Sequence, residues 1–567
     1  MISQNFRTRL TENHKFIRLL EIIPGATTWT VLVFPIVFSI INPVVVMYYI
    51  IAYDLYWFFR ALNVSKSILV AYKNFQVSLS FDWLKRCKET ENVDAAYKKT
   101  QKELGSLKKR MEKLSFRKAK KLRAEYNLLL HKIRDLSHLH GNQDSIADWQ
   151  EVYQVIIFPT HKEEIEALEP AAEALLKSNY PLNKVIYCLV GEERDKERFR
   201  ENAQILRKKY NHGKFFEFLT LEHPDGLPDE GKVKGAAVSW AAKEIRKMLH
   251  EKGIKSEQVI VSSLDCDTKV HPDYLAALAY KFVTTPDRHN KSFQSIPLFH
   301  NNLWDTPAPN RVMAVNSSFW QMIESIRLRR LRNFAGHAMS LKALEIVDYW
   351  DRFSIVEDGK QYWRSFFSFD GEYSVIPIFV PVYCDAVLSN SYLRTLKAQY
   401  LQRRRWYYGV SDFPYIVINA INNTNIPLWY RLLQVWRHYE GTVQLATGSL
   451  IVAFVAWLPL FLNPEFGDTS AIAHNLPIVA SRILTVTAIG LVISMWISII
   501  LLPKRPKKYS KLKMVSMISQ WLFLPPIVIC LSTFPALESQ TRVMFGQYIG
   551  WYVTPKCVKK DENKVEV

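Results

Sequence analysis

Apolar residues gather towards the two ends of this chain, while its middle alternates short apolar runs with charged stretches. Trp29 to Ile41 and Val44 to Phe59 are apolar runs separated by Asn42-Pro43, a turn signal, and together predict a hairpin of two membrane spans. Asp54 inside the second run predicts that this helix keeps one face against protein or water. Val443 to Leu462 and Ile483 to Leu502 are each 20 residues long without an acidic side chain, the length of a span. The stretch NPEFGDTSAIAHNL between them lacks Lys and Arg, whereas PKRPKKYSKLK follows the second. That asymmetry predicts a cytoplasmic location for the basic segment and for the large central portion. A third run, Val515 to Leu531, contains Pro525-Pro526, which predict a broken helix that enters and returns on one side.

Between Lys88 and His138, apolar positions recur at three- and four-residue spacing: Tyr97, Leu104, Leu107, Met111, Leu114, then Leu122, Tyr126, Leu129, Ile133, Leu136. This predicts an antiparallel helical hairpin with a solvated, charged surface. From Val152 the pattern changes. VYQVIIFPT, KVIYCLV and QVIVSSLD are short β-rich runs, each followed by a helical stretch, which predicts βαβ units. The expected fold is an α/β domain with a mostly parallel sheet, inserted between transmembrane helices of a multi-pass membrane protein. Ligands of such sheets bind outside the carboxyl ends of the strands.

At 567 residues, the chain is too long for one ordinary core. Its 74 Lys and Arg against 54 Asp and Glu give a net charge of +20, which suits a nucleic acid, an anionic membrane or an anionic substrate. The 16 Trp and 27 Tyr favour the membrane interface over nucleic acid. Six scattered cysteines without a CxxC pair indicate a reducing compartment with neither zinc site nor disulfide frame. The basic, amphipathic start is not followed by a cleavable leader pattern.

Three clusters carry candidate chemistry. Asp265-Cys266-Asp267 directly follows the strand QVIVSSL, and two carboxylates there suit a hard divalent cation that also binds a diphosphate. Glu357-Asp358 in FSIVEDGKQYW offers a carboxylate to take a proton from an attacking hydroxyl. Gln402, Arg405 and Trp406 in YLQRRRWYYGV share one helix face, with groups that bond, pair with and stack on a phosphosugar. The bland readings are a polar turn, a charged helix start and a basic interfacial helix.

DxD, a Glu-Asp pair and QxxRW, in that order and before membrane spans, resemble the processive family 2 glycosyltransferases, the cellulose and hyaluronan synthase type. The resemblance covers about 152–406 and the flanking spans. It implies a GT-A-like domain, Mg²⁺ or Mn²⁺ held by Asp265 and Asp267, and Asp358 as base. Thr160 and Glu163 in Pro159-Thr160-His161-Lys162-Glu163 then match donor-binding positions, as does Lys232 in EGKVKGAAVSWA. Asp265, Gln402, Arg405 and Trp406 contact the donor, with Trp406 also on the acceptor. Glu357, Gly336 and His337 stand at the acceptor. Trp551 to Lys556, WYVTPK, resembles a gating loop that brings Thr554 and Lys556 to the nucleotide.

Two stretches depart from that pattern. The nucleoside-recognising Asp at the end of the second strand is replaced by Val190-Gly191-Glu192-Glu193-Arg194-Asp195, with Glu193 the candidate; no Asn follows Lys232. The expected organisation is a basic segment and membrane hairpin over 1–72, a helical hairpin over 73–150 and a catalytic domain over 151–395. Interfacial helices over 396–440, spans over 441–535 and a cytoplasmic tail over 536–567 follow. The implied reaction is metal-dependent, inverting transfer from a UDP- or GDP-sugar to a growing β-linked polysaccharide. The glycan or lipid acceptor meets a bacterial inner-membrane enzyme with a cytoplasmic catalytic domain and no nucleic-acid partner. With few spans, an oligomer or export partner is implied. The rivals are transfer of one sugar to a membrane lipid, separable by product size, and a catalytically decayed scaffold, which intact DxD, ED and QxxRW disfavour.

Overall fold

The structure, a computed structural model, describes residues 13–114, 116–465, 495–555 and a few positions between 478 and 493. Most of the expected span Ile483–Leu502, and Lys556, therefore lie outside the described residues.

The amino end forms two long helices, α1 (His14–Ile41) and α2 (Pro43–Leu79). The break falls where the sequence predicts it. Asn42 leaves helical geometry at φ −151°, and Pro43, which has no N–H to leave unbonded, starts α2. Asp54 is buried, as an acidic group among apolar neighbours must be shielded from lipid. α2 is longer than its apolar run. Its last turns carry Ile68, Ala71, Tyr72 and Phe75 into a core shared with Phe319 and Met322, so one helix connects the apolar hairpin to the sheet domain. The charged region forms the predicted hairpin, α3 (Val93–Glu112) and α4 (Phe116–His140). Arg86, Asp135 and Tyr280 hydrogen-bond at its base and fasten it to the domain.

The domain is built on eight strands: β1 (Tyr153–Pro159), β2 (Val185–Glu192), β3 (Glu217–His223), β4 (Val259–Ser263), β5 (Lys269–Val270), β6 (Lys291–Leu298), β7 (His337–Ser340) and β8 (Ser374–Tyr383). Their order is β3-β2-β1-β4-β7-β6-β8-β5. Side chains of β1 alternate between two cores, as pleating requires. Ile156 and Phe158 pack with Leu168 and Leu175 on one face. Val155 and Ile157 pack with Val238 and Ala241 on the other. The sheet is mostly parallel, as expected, with β6 also parallel to β8, and it carries two antiparallel strands. β1, β2, β3 and β4 are parallel, but β7 runs antiparallel between β4 and β6, and β5 runs antiparallel to β8. The sheet is mixed because the chain re-enters it at His337 from the loop beside the end of β4, pairing Ser262 with Ala338.

Helices α5 (Lys234–Glu251), α6 (Ala308–Ser325), α7 (Glu357–Ser368) and α8 (Tyr392–Tyr407) surround the carboxyl ends of the parallel strands. Then come α9 (Leu428–Leu462) and the helical run α10 (Lys511–Met544). With α1 and α2 these are four helices long and apolar enough to cross a membrane. The expected break at Pro525-Pro526 does not turn the chain back. Both prolines occupy the first turn of a helical segment that follows a 3₁₀ turn at Gln520–Phe523, where no N–H is needed from them. α10 instead lies along the domain. Gln520 accepts from buried Arg311 of α6 at 2.8 Å, and Glu538 receives Arg404 and Tyr400 of α8 at 2.7 and 2.8 Å. Val543 reaches the core around Val233 and Tyr408.

Candidate active site

A single cavity of about 890 Å³ opens at the carboxyl ends of β1, β2 and β4 and continues between α2 and α9. Asp265 and Asp267 line it, as the strand-end position predicts. Asp265 Oδ1 accepts from Lys234 Nζ at 3.0 Å, and Glu357 Oε1 lies 3.1 Å from the same nitrogen. Burial alone would lower the Lys234 pKa, but Asp265, Asp358 and Glu357 outweigh it and hold the ammonium well above its usual 10.5. Conversely, burial and then Asp358 raise Glu357 to about 7, against the pull of Lys234 and Arg405. Asp358 is raised first by burial and also by Asp265, again opposed by Lys234 and Arg405.

α5 begins at Lys234 so close to 351–357 that only glycine fits next. A Cβ on Gly235 would stand 2.1 Å from the Asp351 carbonyl oxygen. This contact sets Lys234 against Glu357. Asp358 is fixed from the other side. His337 Nδ1 lies 3.0 Å from the Phe334 carbonyl, which can only accept, and Nε2 accepts from the Trp350 indole at 3.2 Å. His337 is therefore neutral, and burial above all pushes its pKa down to about 4. The same Nδ1 is 3.5 Å from Asp358 Oδ1, which makes no hydrogen bond among the described residues. His337 is wholly buried behind Asp358, so its expected contact with an acceptor is corrected to one with the candidate base. Gly336, at φ +82°, does line the cavity.

On the donor side Thr160 donates to Glu163 at 2.9 Å, and the same carboxylate receives the His161 N–H at 2.6 Å. Glu163 thus shapes the turn after β1 while lining the cavity with Thr160. Of two further expected donor residues, one stands outside the cavity and one at its rim. Glu193 faces away and caps the Asp225 N–H at 2.9 Å, whereas its neighbour Glu192 lines the cavity. Strand β2 runs on to Glu192, and its alternation decides which of the two points inward. Lys232 sits at the rim, exposed and paired to Asp225 at 3.1 Å, while Lys234 occupies the centre. The sequence signal for Lys234 is its position immediately before Gly235-Ala236-Ala237, a run small enough for a helix to start against other backbone. Beneath Glu192, buried His223 bridges it at 3.2 Å and Glu230 at 3.0 Å.

Gln402, Arg405 and Trp406 of α8 all line the cavity. Arg405 is half-buried, its desolvation lowers its pKa, and its guanidinium lies 4.2 Å from the centre of the Trp551 ring. Trp551 to Pro555, including Thr554, thus close one side of the same space. The wall can accept a hydroxyl proton, surround a diphosphate with fixed cations and offer oxygen ligands to a hard cation. Two carboxylates with substrate phosphates suffice for Mg²⁺ or Mn²⁺, so Asp265 and Asp267 fit the expected metal by their donor chemistry.

Residues 260–501 match a family model described as glycosyl transferase family group 2. No curated protein matches the chain. Among solved structures, the mannosyltransferase PcManGT of Pyrobaculum calidifontis, in complex with GDP-Man and Mn²⁺, is 14% identical. The alignment covers 82% of this chain and 100% of that one, at a TM-score of 0.37. TarS 1-349 of S. aureus with UDP-GlcNAc is 12% identical over 70% of this chain and 93% of its own, at 0.30. Similarity this low says nothing of donor, metal or acceptor.

Proposed function

We propose that this chain, whose residues 260–501 match the family 2 glycosyltransferase model, is a glycosyltransferase drawing on nucleotide-sugar donors, and that it works at a membrane, inverting the anomeric centre as it extends a β-linked polysaccharide. The observation that carries this reading is the continuous cavity, which joins Glu192 and Arg194 to Asp358 and then runs between two apolar helices. A nucleoside diphosphate sugar occupies the end at Thr160, Glu163, Glu192 and Arg194. Lys234 and Arg405 face the diphosphate as fixed positive charge, which stabilises the leaving group without reorganisation. Asp358, whose half-buried side chain lines the cavity, takes the proton as an acceptor hydroxyl attacks in line. Neutral His337 packs behind that carboxylate. Bound at Asp265 and Asp267, Mg²⁺ or Mn²⁺ would neutralise charge gathering on the departing diphosphate. Trp551 to Thr554 exclude water beside Arg405.

Both ends of α10 contact the catalytic domain, which supports a surface-lying helix and keeps Trp551 on the side of the nucleotide. On this reading the catalytic domain is cytoplasmic.

Membranes carrying the protein, supplied with labelled nucleotide sugars, should incorporate label into material larger than one added sugar, and a chelator should stop it. Product confined to single-sugar lipid would overturn the polymerase reading. Incorporation untouched by chelation would remove the metal from Asp265 and Asp267.

A further inference from the structure

The part of the cavity between α2 and α9 differs in chemistry from a neutral sugar channel. Five arginines line it: Arg60, Arg327, Arg330, Arg332 and Arg437. Two are neutralised, Arg60 by Glu440 at 3.0 Å and Arg327 by Glu324 at 3.1 Å. Arg330, Arg332 and Arg437 form no ion pair among the described residues. Arg332 rests 4.3 Å over the Trp363 ring and donates to His438 Nδ1 at 3.3 Å, and Arg437 donates to the Arg329 carbonyl at 3.2 Å. Deeper in the same wall, Nε2 of Gln321 and of Gln434, each in a side chain only 2% exposed, make no hydrogen bond among the described residues. A guanidinium can only donate. The three arginines without an ion pair therefore present donors and surplus positive charge to whatever enters, which suits a compact oxyanion with many lone pairs.

Next to this mouth the outer surfaces of both helices are apolar. Phe59 and Leu62 of α2, and Leu432 and Trp436 of α9, are all exposed. Gly448 lets the helices close further along, where a Cβ would stand 2.7 Å from the Trp57 ring. A ligand entering here meets hydrocarbon-like surface first and arginine second. We infer that this end of the cavity binds the phosphate of a phosphorylated lipid, with its chains along α2 and α9. The inference rests on the reading of this end as the acceptor side, and it names the acceptor's anchor: a lipid-borne phosphate rather than a neutral glycan alone.

The test is native mass spectrometry of the detergent-solubilised full chain, titrated separately with phosphatidic acid, phosphatidylcholine and inorganic phosphate, with UDP and GDP in parallel. Phosphatidic acid should bind saturably at concentrations where phosphatidylcholine does not. Arg330→Gln with Arg437→Gln should weaken it about ten-fold or more, the loss expected for charge-assisted hydrogen bonds. Arg329→Gln, exposed and outside the cavity, should leave it unchanged. If the double variant also loses the nucleotide, Arg330→Gln alone, at an exposed position, decides the matter by the same measure. Equal binding of the two lipids, or unchanged binding in the variants, overturns the site. Inorganic phosphate binding as tightly as phosphatidic acid overturns the lipid. If nucleotide binds the wild type and phosphatidic acid does not, this inference fails and the donor assignment stands; the reverse result removes the donor assignment only.

Discussion

At the residue scale, the arrangement around Lys234 shows why this centre needs a cation the DxD and Glu-Asp clusters do not announce. Asp265, Glu357 and Asp358 converge on a buried space, and Lys234 is the nearest positive charge to two of them, at 3.0 and 3.1 Å. Removing it leaves the buried Glu357 without its partner, which costs about 3–5 kcal/mol in comparable buried pairs. Lys234→Met should therefore lower the thermal unfolding midpoint markedly and abolish transfer; a variant as stable and active as the wild type would contradict the assignment. The second residue-scale prediction concerns His223. Burial lowers its pKa, but Glu192 and Glu230 raise it more, so the net shift is upward; Glu230 is itself raised, chiefly by burial. Both groups bind protons more tightly when folded. Their stabilisation is complete below the unfolded values, about 4.3 for Glu and 6.5 for His, and fades as pH rises through the folded ones. The gap in unfolding midpoint between wild type and His223→Gln should then be widest near pH 6 and shrink towards pH 8.5; a gap that widens instead would exclude a charged His223. The clusters Asp265-Cys266-Asp267, Glu357-Asp358 and Gln402 to Trp406 were legible in the sequence because each is local and follows a recognisable element. Lys234 against Lys232, and Glu192 against Glu193, were not. Each choice turns on where a helix starts or which way a strand's last residue points.

At the scale of elements, periodicity revealed the helical hairpin α3–α4, the parallel strands β1, β2 and β4, and the Asn42-Pro43 break. It did not reveal β7, four residues long and paired antiparallel, because a strand that short has no pattern of its own. The case of α10 is similar. Adjacent prolines in sequence suggest a break, but their effect depends on whether the preceding turn needs their N–H groups, and here a 3₁₀ turn ends just before them. A helix lying along α6 and α8 predicts that both of its ends share one side of the membrane. Single cysteines at Lys508 and Tyr548, in an otherwise cysteine-free chain, should react with an impermeant maleimide from the same face of sealed vesicles. Labelling from opposite faces would make α10 a crossing helix and detach Trp551 from the nucleotide.

At the scale of the molecule, the sheet domain and the apolar helices are joined by one cavity and by α2, which belongs to both. The donor end collects residues from β1, β2 and α5, the centre from β4, α7 and α8, and the far end from α2 and α9. In the proposed function, a nucleotide sugar approaching from one side and an acceptor from the other meet at Asp358. Removing that carboxylate tests the whole account, since base removal typically slows transfer about 10²–10⁴-fold while leaving donor contacts intact. The measurement is nucleotide release by purified wild type and Asp358→Asn in lipid vesicles, across a panel of UDP- and GDP-sugars with Mn²⁺ or Mg²⁺. One or a few donors should be turned over by the wild type, and Asp358→Asn should still bind the freed nucleotide but release it at least a hundred-fold more slowly. Equal release by the two proteins would contradict the assignment of Asp358, and with it the account of this cavity as the place of glycosyl transfer.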